Sequence, residues 1–146
     1  MQVCSTRDAN VRLSFSASLL AGLPPGGGLY QPIPPPDLRS KIAELPDQAS
    51  FLEVATVIIS ALFEEELTAP DARLTTACAL AEAAFPFAPK LSWLHDEIAL
   101  LELFHGPTCA FKDFGAAFLA TLLDQLGGGS NGPPAVVLVA TSGDTG

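Results

Sequence analysis

Positive charge is scarce in this sequence: seven Lys and Arg residues stand against sixteen Asp and Glu residues, which gives a net charge of −9. A field of that sign repels nucleic acid and anionic membrane surfaces, so we expect neither as a partner. It does not exclude an anionic small molecule, because backbone N–H groups can bind a phosphate locally whatever the global charge.

Cysteine and long apolar runs are also scarce. The three cysteines, Cys4, Cys78 and Cys109, are odd in number and show no CxxC spacing. This disfavours both a metal site and a disulfide framework, so we expect no metal and a reducing, cytoplasmic setting. The densest apolar run, 54–63, is about half of the roughly 20 residues that a membrane span requires.

What the sequence does have is enough apolar material for a core, since 49% of its residues are hydrophobic. The composition changes near residue 90. Before it, apolar residues recur at helical spacing; after it, strand-like and helical patterns alternate. We therefore predict two parts: a mainly helical domain over 1–90 and an incomplete α/β domain over 91–146.

Residues typical of helix starts and helix ends occur at intervals along the first part. Ser14, Pro36 and Thr68 precede apolar-periodic segments, and Gly22, Pro46 and Pro86 follow them, as starts and stops of helices do. These signals predict four helices: 14–21, 37–45, 48–65, and one that Thr68 caps and that ends before Pro86. The residues between 22 and 36 are predicted as a Pro- and Gly-rich loop with a brief strand at 29–30.

The second part is predicted to contain two strands and a helix between them. The strands are 100–104 and 135–140, and the helix begins near Asp113. Because 135–140 is a continuous, valine-rich apolar run, it is typical of a strand buried on both faces of a parallel sheet. Trp93 and His95 are predicted to lie in the connection that leads to the first strand.

Lys112 is the candidate for chemistry. It lies between Phe111 and Phe114, at the start of the helix that follows a His-Gly-Pro turn. Loss of water contact and the positive end of the helix dipole would both favour a neutral amine, which can react with an aldehyde. The alternative is a surface lysine whose stem covers apolar neighbours. The strand–turn–helix setting favours the first interpretation, because α/β enzymes place chemistry there.

A second candidate site follows the last predicted strand. Ser142, Gly143, Asp144 and Thr145 form a glycine-containing turn, in which N–H groups and hydroxyls can bind an anion. As a bare pattern this is a weak signal, because most turns between a strand and a helix contain glycine.

Three sequence elements, which occur along the chain in the order that the family has, resemble threonine synthase, a pyridoxal-phosphate (PLP) enzyme family. They are Phe104-His105-Gly106-Pro107-Thr108 with Ala110-Phe111-Lys112-Asp113-Phe114-Gly115, then Thr141-Ser142-Gly143-Asp144-Thr145-Gly146, and Ser5-Thr6-Arg7 with Gly27-Gly28-Leu29-Tyr30-Gln31-Pro32 at the amino end. The sequence departs from the family pattern at Cys109, where an aliphatic residue is expected, and at Gly26, where an Asp is expected.

The resemblance implies a fold-type II PLP enzyme with a parallel-stranded α/β body. It implies that Lys112 holds pyridoxal 5'-phosphate as an internal aldimine and that Ser142, Gly143, Asp144 and Thr145 bind the substrate. The implied enzyme is a carbon–oxygen lyase acting on phosphates, which converts O-phospho-L-homoserine and water to L-threonine and phosphate.

Two alternatives remain open from the sequence: a related phospho-lyase that gives a keto acid, and a non-catalytic interaction fragment. The family's glycine-rich loop for the cofactor phosphate has no counterpart here. We therefore expect the chain to be an amino-terminal fragment that is truncated and catalytically silent on its own. The oligomeric state does not follow from the sequence.

Overall fold

The computed structural model describes residues 1–66, 70–127, 139–141 and 143, and it divides the chain into two units, Met1–Ala81 and Glu82–Gly146. The described helices and strands are, in chain order, β1 (Gln2–Ser5), β2 (Arg12–Ser14), α1 (Phe15–Ala21), β3 (Tyr30–Pro32), α2 (Arg39–Ala43), α3 (Phe51–Leu62), α4 (Pro70–Ala84), β4 (Lys90–His95), β5 (Ile98–Glu102) and α5 (Lys112–Gly127). The unit boundary therefore falls earlier in the chain than the composition change near residue 90.

A three-stranded antiparallel sheet forms part of the first unit, with β1 between β2 and β3. Val3 pairs with Leu13 on one side and with Pro32 on the other. The sheet adds three short strands to a part of the chain that was predicted to be mainly helical. Its strands have only three or four residues, which is too short for apolar alternation to show in a sequence.

The predicted helix over 14–21 is confirmed, with both of its end signals. The Ser14 hydroxyl accepts the Ala17 N–H at 3.2 Å, and the helix that follows is α1. Gly22 ends the helix with a φ of 69°, a left-handed conformation that glycine adopts without strain, and its N–H donates to the Ser18 carbonyl.

Helix α3 begins at a capping box rather than at residue 48. The Ser50 hydroxyl accepts the Glu53 N–H at 3.2 Å, and the Glu53 carboxylate accepts the Ser50 N–H at 2.7 Å. The bond from the Ser50 N–H, and after it a bond that the Ser50 hydroxyl donates to the same carboxylate at 2.7 Å, hold the pKa of Glu53 below its ordinary value. The buried face includes Ala55 and Ile59, whereas Ile58 is exposed.

Helix α4 contributes much of the described core. Ala77, Leu80, Ala81 and Ala84 are buried at positions i, i+3, i+4 and i+7. Leu74 and Cys78 of the same helix are exposed. Cys78 lies one residue beyond Ala77 and is therefore rotated away from the buried stripe. The predicted Thr68 cap lies outside the described residues.

In the second unit, β4 and β5 form an antiparallel hairpin in which Lys90 pairs with Glu102. This corrects two predictions: Trp93 and His95 lie in a strand and not in a connection, and the second strand begins at Ile98. The strand β4 was missed because its alternation of polar and apolar residues covers only Lys90 to Trp93 and stops at the apolar pair Trp93-Leu94. A parallel strand was predicted at 135–140, but residues 135–138 lie outside the described part, and no parallel pair occurs within that part.

Helix α5 begins at Lys112, close to the predicted start. An aromatic cluster covers one of its faces: Phe85 stacks on Phe118 with ring centroids 6.1 Å apart, and Phe87 meets Phe114 edge-on at 5.0 Å. Leu122, 2% exposed, continues this face. The cluster packs the segment after α4 against the helix that carries the candidate lysine.

No helix in the described part of the chain combines the length and the apolar character that crossing a bilayer demands.

Candidate active site

Lys112 is the first residue of α5, and its side chain is exposed. The neighbouring Phe111 is 66% exposed and does not bury it. The prediction that Lys112 loses its water contact is therefore corrected: no burial among the described residues desolvates this amine. Its position at a helix start, directly after the His-Gly-Pro turn, is as predicted.

The turn before Lys112 is fastened to the helix by the next residue along the chain. The Asp113 side chain accepts two hydrogen bonds from Thr108: the backbone N–H donates to Oδ2 at 2.9 Å, and the hydroxyl donates to Oδ1 at 2.5 Å. Asp113 is 6% exposed. A buried carboxylate needs such donors, because an unsatisfied one would be strongly destabilising. Sequence reasoning missed this residue, and only its place directly after Lys112 could have drawn attention to it.

Gly106 lets the turn approach Asp113. A Cβ built on Gly106 would overlap the Asp113 side chain, with the carboxyl carbon at 2.9 Å. The Cys109 N–H donates to the Gly106 carbonyl at 3.1 Å and closes the turn. The glycine of the His-Gly-Pro element is thus required by close packing against a carboxylate.

Cys109 forms part of the turn before the helix. It is exposed, and its φ is 57°, in the left-handed region that residues other than glycine seldom adopt. The chain therefore reverses at Cys109 before it enters the helix.

The other side of the turn is held by Glu102 at the end of β5. The Ser92 hydroxyl donates to Glu102 Oε1 at 2.5 Å, and His105 Nε2 lies 2.7 Å from Glu102 Oε2. These contacts, Ser92 first and His105 second, hold the pKa of Glu102 below its ordinary value. This geometry gives His105 a structural partner. Glu102 itself was not singled out from the sequence.

The second predicted site is described only at Gly143. Its φ is 112°, its N–H donates to the Thr141 hydroxyl at 3.0 Å, and it is exposed. Ser142, Asp144 and Thr145 lie outside the described residues. Their proximity to Lys112 stays a prediction.

Hydrogen bonds within the first unit connect the two amino-terminal segments that resemble the family. Thr6 N–H donates to the Leu29 carbonyl at 2.8 Å, and the Leu29 N–H donates to the Thr6 hydroxyl at 3.0 Å. The Arg7 guanidinium donates to the Gly26 carbonyl at 3.2 Å. The Ser-Thr-Arg and Gly-Gly-Leu-Tyr segments, distant in sequence, therefore form one loop structure.

Within the described ranges, no group of three or more His, Cys, Asp or Glu side chains is placed to hold a metal ion. The chemistry available around the turn is that of one exposed amine, one buried carboxylate and a Glu–His pair.

Solved structures share this fold. Threonine synthase from Escherichia coli matches with a TM-score of 0.72 at 30% sequence identity, over 88% of this chain and 29% of that chain. The PLP-bound threonine synthase from Brucella melitensis matches with a TM-score of 0.69 at 34% identity, over 87% of this chain and 28% of that chain. The mixed helix-and-sheet architecture is thus that of a segment of threonine synthases.

Sequence comparison makes the assignment specific. The family described as "Threonine synthase N terminus" matches residues 2–81. Threonine synthase from Serratia marcescens is 37% identical over 147 residues, which cover 100% of this chain and 32% of that protein. Threonine synthase from Escherichia coli K12 is 34% identical, again over 100% of this chain and 32% of the relative. The chain belongs to the threonine synthase family, and it spans about a third of the length of these relatives.

Proposed function

We propose that this chain supplies the lysine-bearing segment of a threonine synthase, with Lys112 as the site at which pyridoxal phosphate is attached. The observation that carries the proposal is an exposed lysine at the first residue of α5, behind a turn that a buried carboxylate fastens to the helix. The PLP bound to the Brucella melitensis relative supports the choice of cofactor.

The residues around Lys112 fit a flat, aldehyde-bearing cofactor. The amine is accessible, and the rings of Phe104 and Phe111 are 54% and 66% exposed, so they offer apolar surface. Acidic groups near the turn are already engaged: Asp113 by Thr108, and Glu102 by Ser92 and His105. Pyridoxal phosphate, when bound, supplies an electron sink for bond cleavage beside the substrate amine.

Within this proposal Lys112 has two tasks. Its Nζ would hold the cofactor through the aldehyde group, and the same atom would take up and return protons beside the substrate carbons. Ser142, Gly143, Asp144 and Thr145 are proposed to bind the substrate. The left-handed φ of 112° at Gly143 supports a close backbone approach there.

The proposed substrate is O-phospho-L-homoserine, which reacts with water to give L-threonine and phosphate. This requires the remainder of a threonine synthase, so we expect the chain alone to be catalytically silent. We further propose that a mainly helical domain, 1–90, is followed by an incomplete α/β domain, 91–146, which begins a fold-type II body with parallel strands, and that the enzyme is located in the cytoplasm.

The test is a chimaera in which residues 1–146 replace the matching segment of the Escherichia coli threonine synthase. We expect it to release phosphate and threonine from O-phospho-L-homoserine, and borohydride reduction should leave the cofactor on Lys112. Lys112→Ala should abolish both results, whereas the matched variants Lys41→Ala and Lys90→Ala should not. Cofactor recovered on Lys41 or Lys90 would refute the assignment.

The chimaera also separates the alternatives that the sequence left open. A keto acid released in place of threonine would identify a phospho-lyase. A folded chimaera that binds no cofactor and releases no phosphate, beside an active parent enzyme, would favour a non-catalytic interaction role for this chain.

A further inference from the structure

Lys112 and Asp113 are adjacent, yet their side chains lie in opposite environments. The lysine is exposed, whereas the aspartate is 6% exposed and is hydrogen-bonded back to Thr108. A short polar side chain at a helix start usually caps its own helix or faces water. Here the carboxylate accepts its donors from the preceding turn, so it joins two segments rather than ending one.

The hydrogen bonds between Asp113 and the preceding turn have a specific geometry. One oxygen of Asp113 takes the Thr108 backbone N–H at 2.9 Å and the other takes the Thr108 hydroxyl at 2.5 Å. Both bonds end on an ionisable oxygen, and hydrogen bonds to a charged acceptor are shorter and stronger than neutral ones. Gly106 lies against the same carboxylate, with no room for a Cβ. Two residues of the turn, Gly106 and Thr108, therefore lie against one side chain.

We propose that Asp113 is a positioning residue for Lys112: through Thr108 it fixes the turn against the first residues of α5 and so fixes where the lysine amine is presented. This role rests on the proposed function of Lys112 as the site of cofactor attachment. Asp113 itself touches neither substrate nor cofactor in this proposal, because its carboxylate is buried and engaged.

The positioning has a physical consequence for reactivity. An amine on a long flexible side chain gains rate from a fixed backbone origin, since fewer geometries must be searched before it meets the aldehyde. If the hydrogen bonds between Thr108 and Asp113 are lost, the turn before the helix is no longer held to the first residues of α5, where the amine is attached. Reactivity at Lys112 should then fall toward that of an ordinary surface lysine.

The chain carries its own controls for this test. It has three lysines, Lys41, Lys90 and Lys112. Lys41 pairs with Glu64 at 3.8 Å and Lys90 with Glu102 at 3.9 Å, and neither pair includes Asp113. Incubating residues 1–146 with pyridoxal phosphate joins a lysine nitrogen to the aldehyde carbon with loss of water, and borohydride then supplies hydride to fix the bond. Peptide mapping gives the labelling rate at each lysine within one molecule.

We expect the unaltered chain to label Lys112 faster than Lys41. Thr108→Val and Asp113→Asn should lower the ratio of these rates by about tenfold, the size expected from losing a charge-assisted hydrogen bond. Thr108→Ser keeps the hydroxyl and should restore the ratio. Amide hydrogen exchange at residue 108 should speed up in Asp113→Asn without any cofactor present.

Leu122→Ala separates positioning from stability, because it removes a buried side chain of the same helix and leaves the turn untouched. At a temperature where circular dichroism shows equal folded fractions, Leu122→Ala should keep the Lys112 preference. An equal loss of preference in Leu122→Ala, or an unchanged ratio in Thr108→Val and Asp113→Asn, would overturn the positioning role alone. No preference for Lys112 in the unaltered chain would instead refute the proposed attachment site, and the positioning role with it.

Discussion

The strands of the two units differ in how far their apolar side chains are buried. In the first unit the central strand β1 is buried, with Val3 at 3% and Cys4 at 2% exposure. In the second unit the hairpin of β4 and β5 keeps large apolar side chains in solvent: Trp93 is 65% and Leu101 60% exposed. Buried apolar area stabilises by about 25 cal/mol per Å², so within the described residues the hairpin gains little of this term.

The difference teaches what holds the candidate site in place. A two-stranded hairpin is marginal without a covered face. Around Lys112 the stabilising contacts are therefore polar, from Asp113 to Thr108 and from Glu102 to Ser92, together with the aromatic packing of α5. Such regions unfold locally at lower cost than a buried core, and functional segments are often found among them.

The largest effect should come from the core of the first unit. Leu80 is fully buried on α4, so Leu80→Ala should lower the free energy of unfolding by about 2–5 kcal/mol. Trp93→Ala, a larger truncation on the exposed hairpin, should change it by no more than about 0.5 kcal/mol. Urea denaturation of the two variants measures the contrast. A Trp93→Ala loss as large as that of Leu80→Ala would mean that the hairpin is buried in solution.

A smaller and more local effect is expected at the turn. Gly106→Ala would place a methyl group against the Asp113 carboxylate and should cost about 1–3 kcal/mol, the usual penalty for overpacking. Gly115→Ala is the matched control on the same helix: no atom lies within 4 Å of its built Cβ. It should stabilise by about 0.5–1 kcal/mol, because alanine favours a helix interior over glycine.

If the turn is packed as described, thermal unfolding should show a lowered melting temperature for Gly106→Ala and a raised one for Gly115→Ala. Hydrogen exchange should localise the Gly106→Ala defect to the turn and the start of α5. A neutral Gly106→Ala with unchanged exchange at residue 108 would contradict the close contact with Asp113.

The sequence predicted most helices of this fold because their ends carry local chemistry. Ser14 with Gly22 bounds α1, and the start of α5 follows from the pattern after Asp113. These signals act over three or four residues and so are visible in one dimension. The short sheet was missed, since the pairing of Val3 with Pro32 depends on a chain reversal that no local pattern encodes.

At the candidate site the sequence indicated the lysine and missed its support. Lys112 was found from its setting between strand, turn and helix, and from the family resemblance. The burial of Asp113 was not predictable, because an acid at a helix start is expected to face solvent at the positive end of the dipole. Exposure of Lys112 was also mispredicted: Phe111 neighbours it in sequence but points its ring into solvent.

The smallest expected effect concerns pH, and it compares one carboxylate from each unit. Glu53 in the first unit and Glu102 in the second both have pKa values below the ordinary carboxyl value. A lowered folded-state pKa contributes stability that is complete above the ordinary pKa and is lost as pH falls through the folded value. Acid should therefore weaken both the α3 cap and the hairpin–turn junction.

Ser92→Ala should sharpen this comparison, because the Ser92 hydroxyl is the largest cause of the Glu102 shift and has no contact with the Glu53 capping box. We expect the Glu102 carboxyl to titrate closer to its ordinary pKa in this variant, while Glu53 titrates unchanged. NMR of the side-chain carboxyl carbons between pH 7 and pH 2 follows both groups in one sample. Since His105 Nε2 still lies 2.7 Å from Glu102, part of the lowering should survive. A Glu102 titration identical to that of the unaltered chain would show that Ser92 does not hold this carboxylate, and that its other partners, His105 and Lys90, account for the lowered pKa.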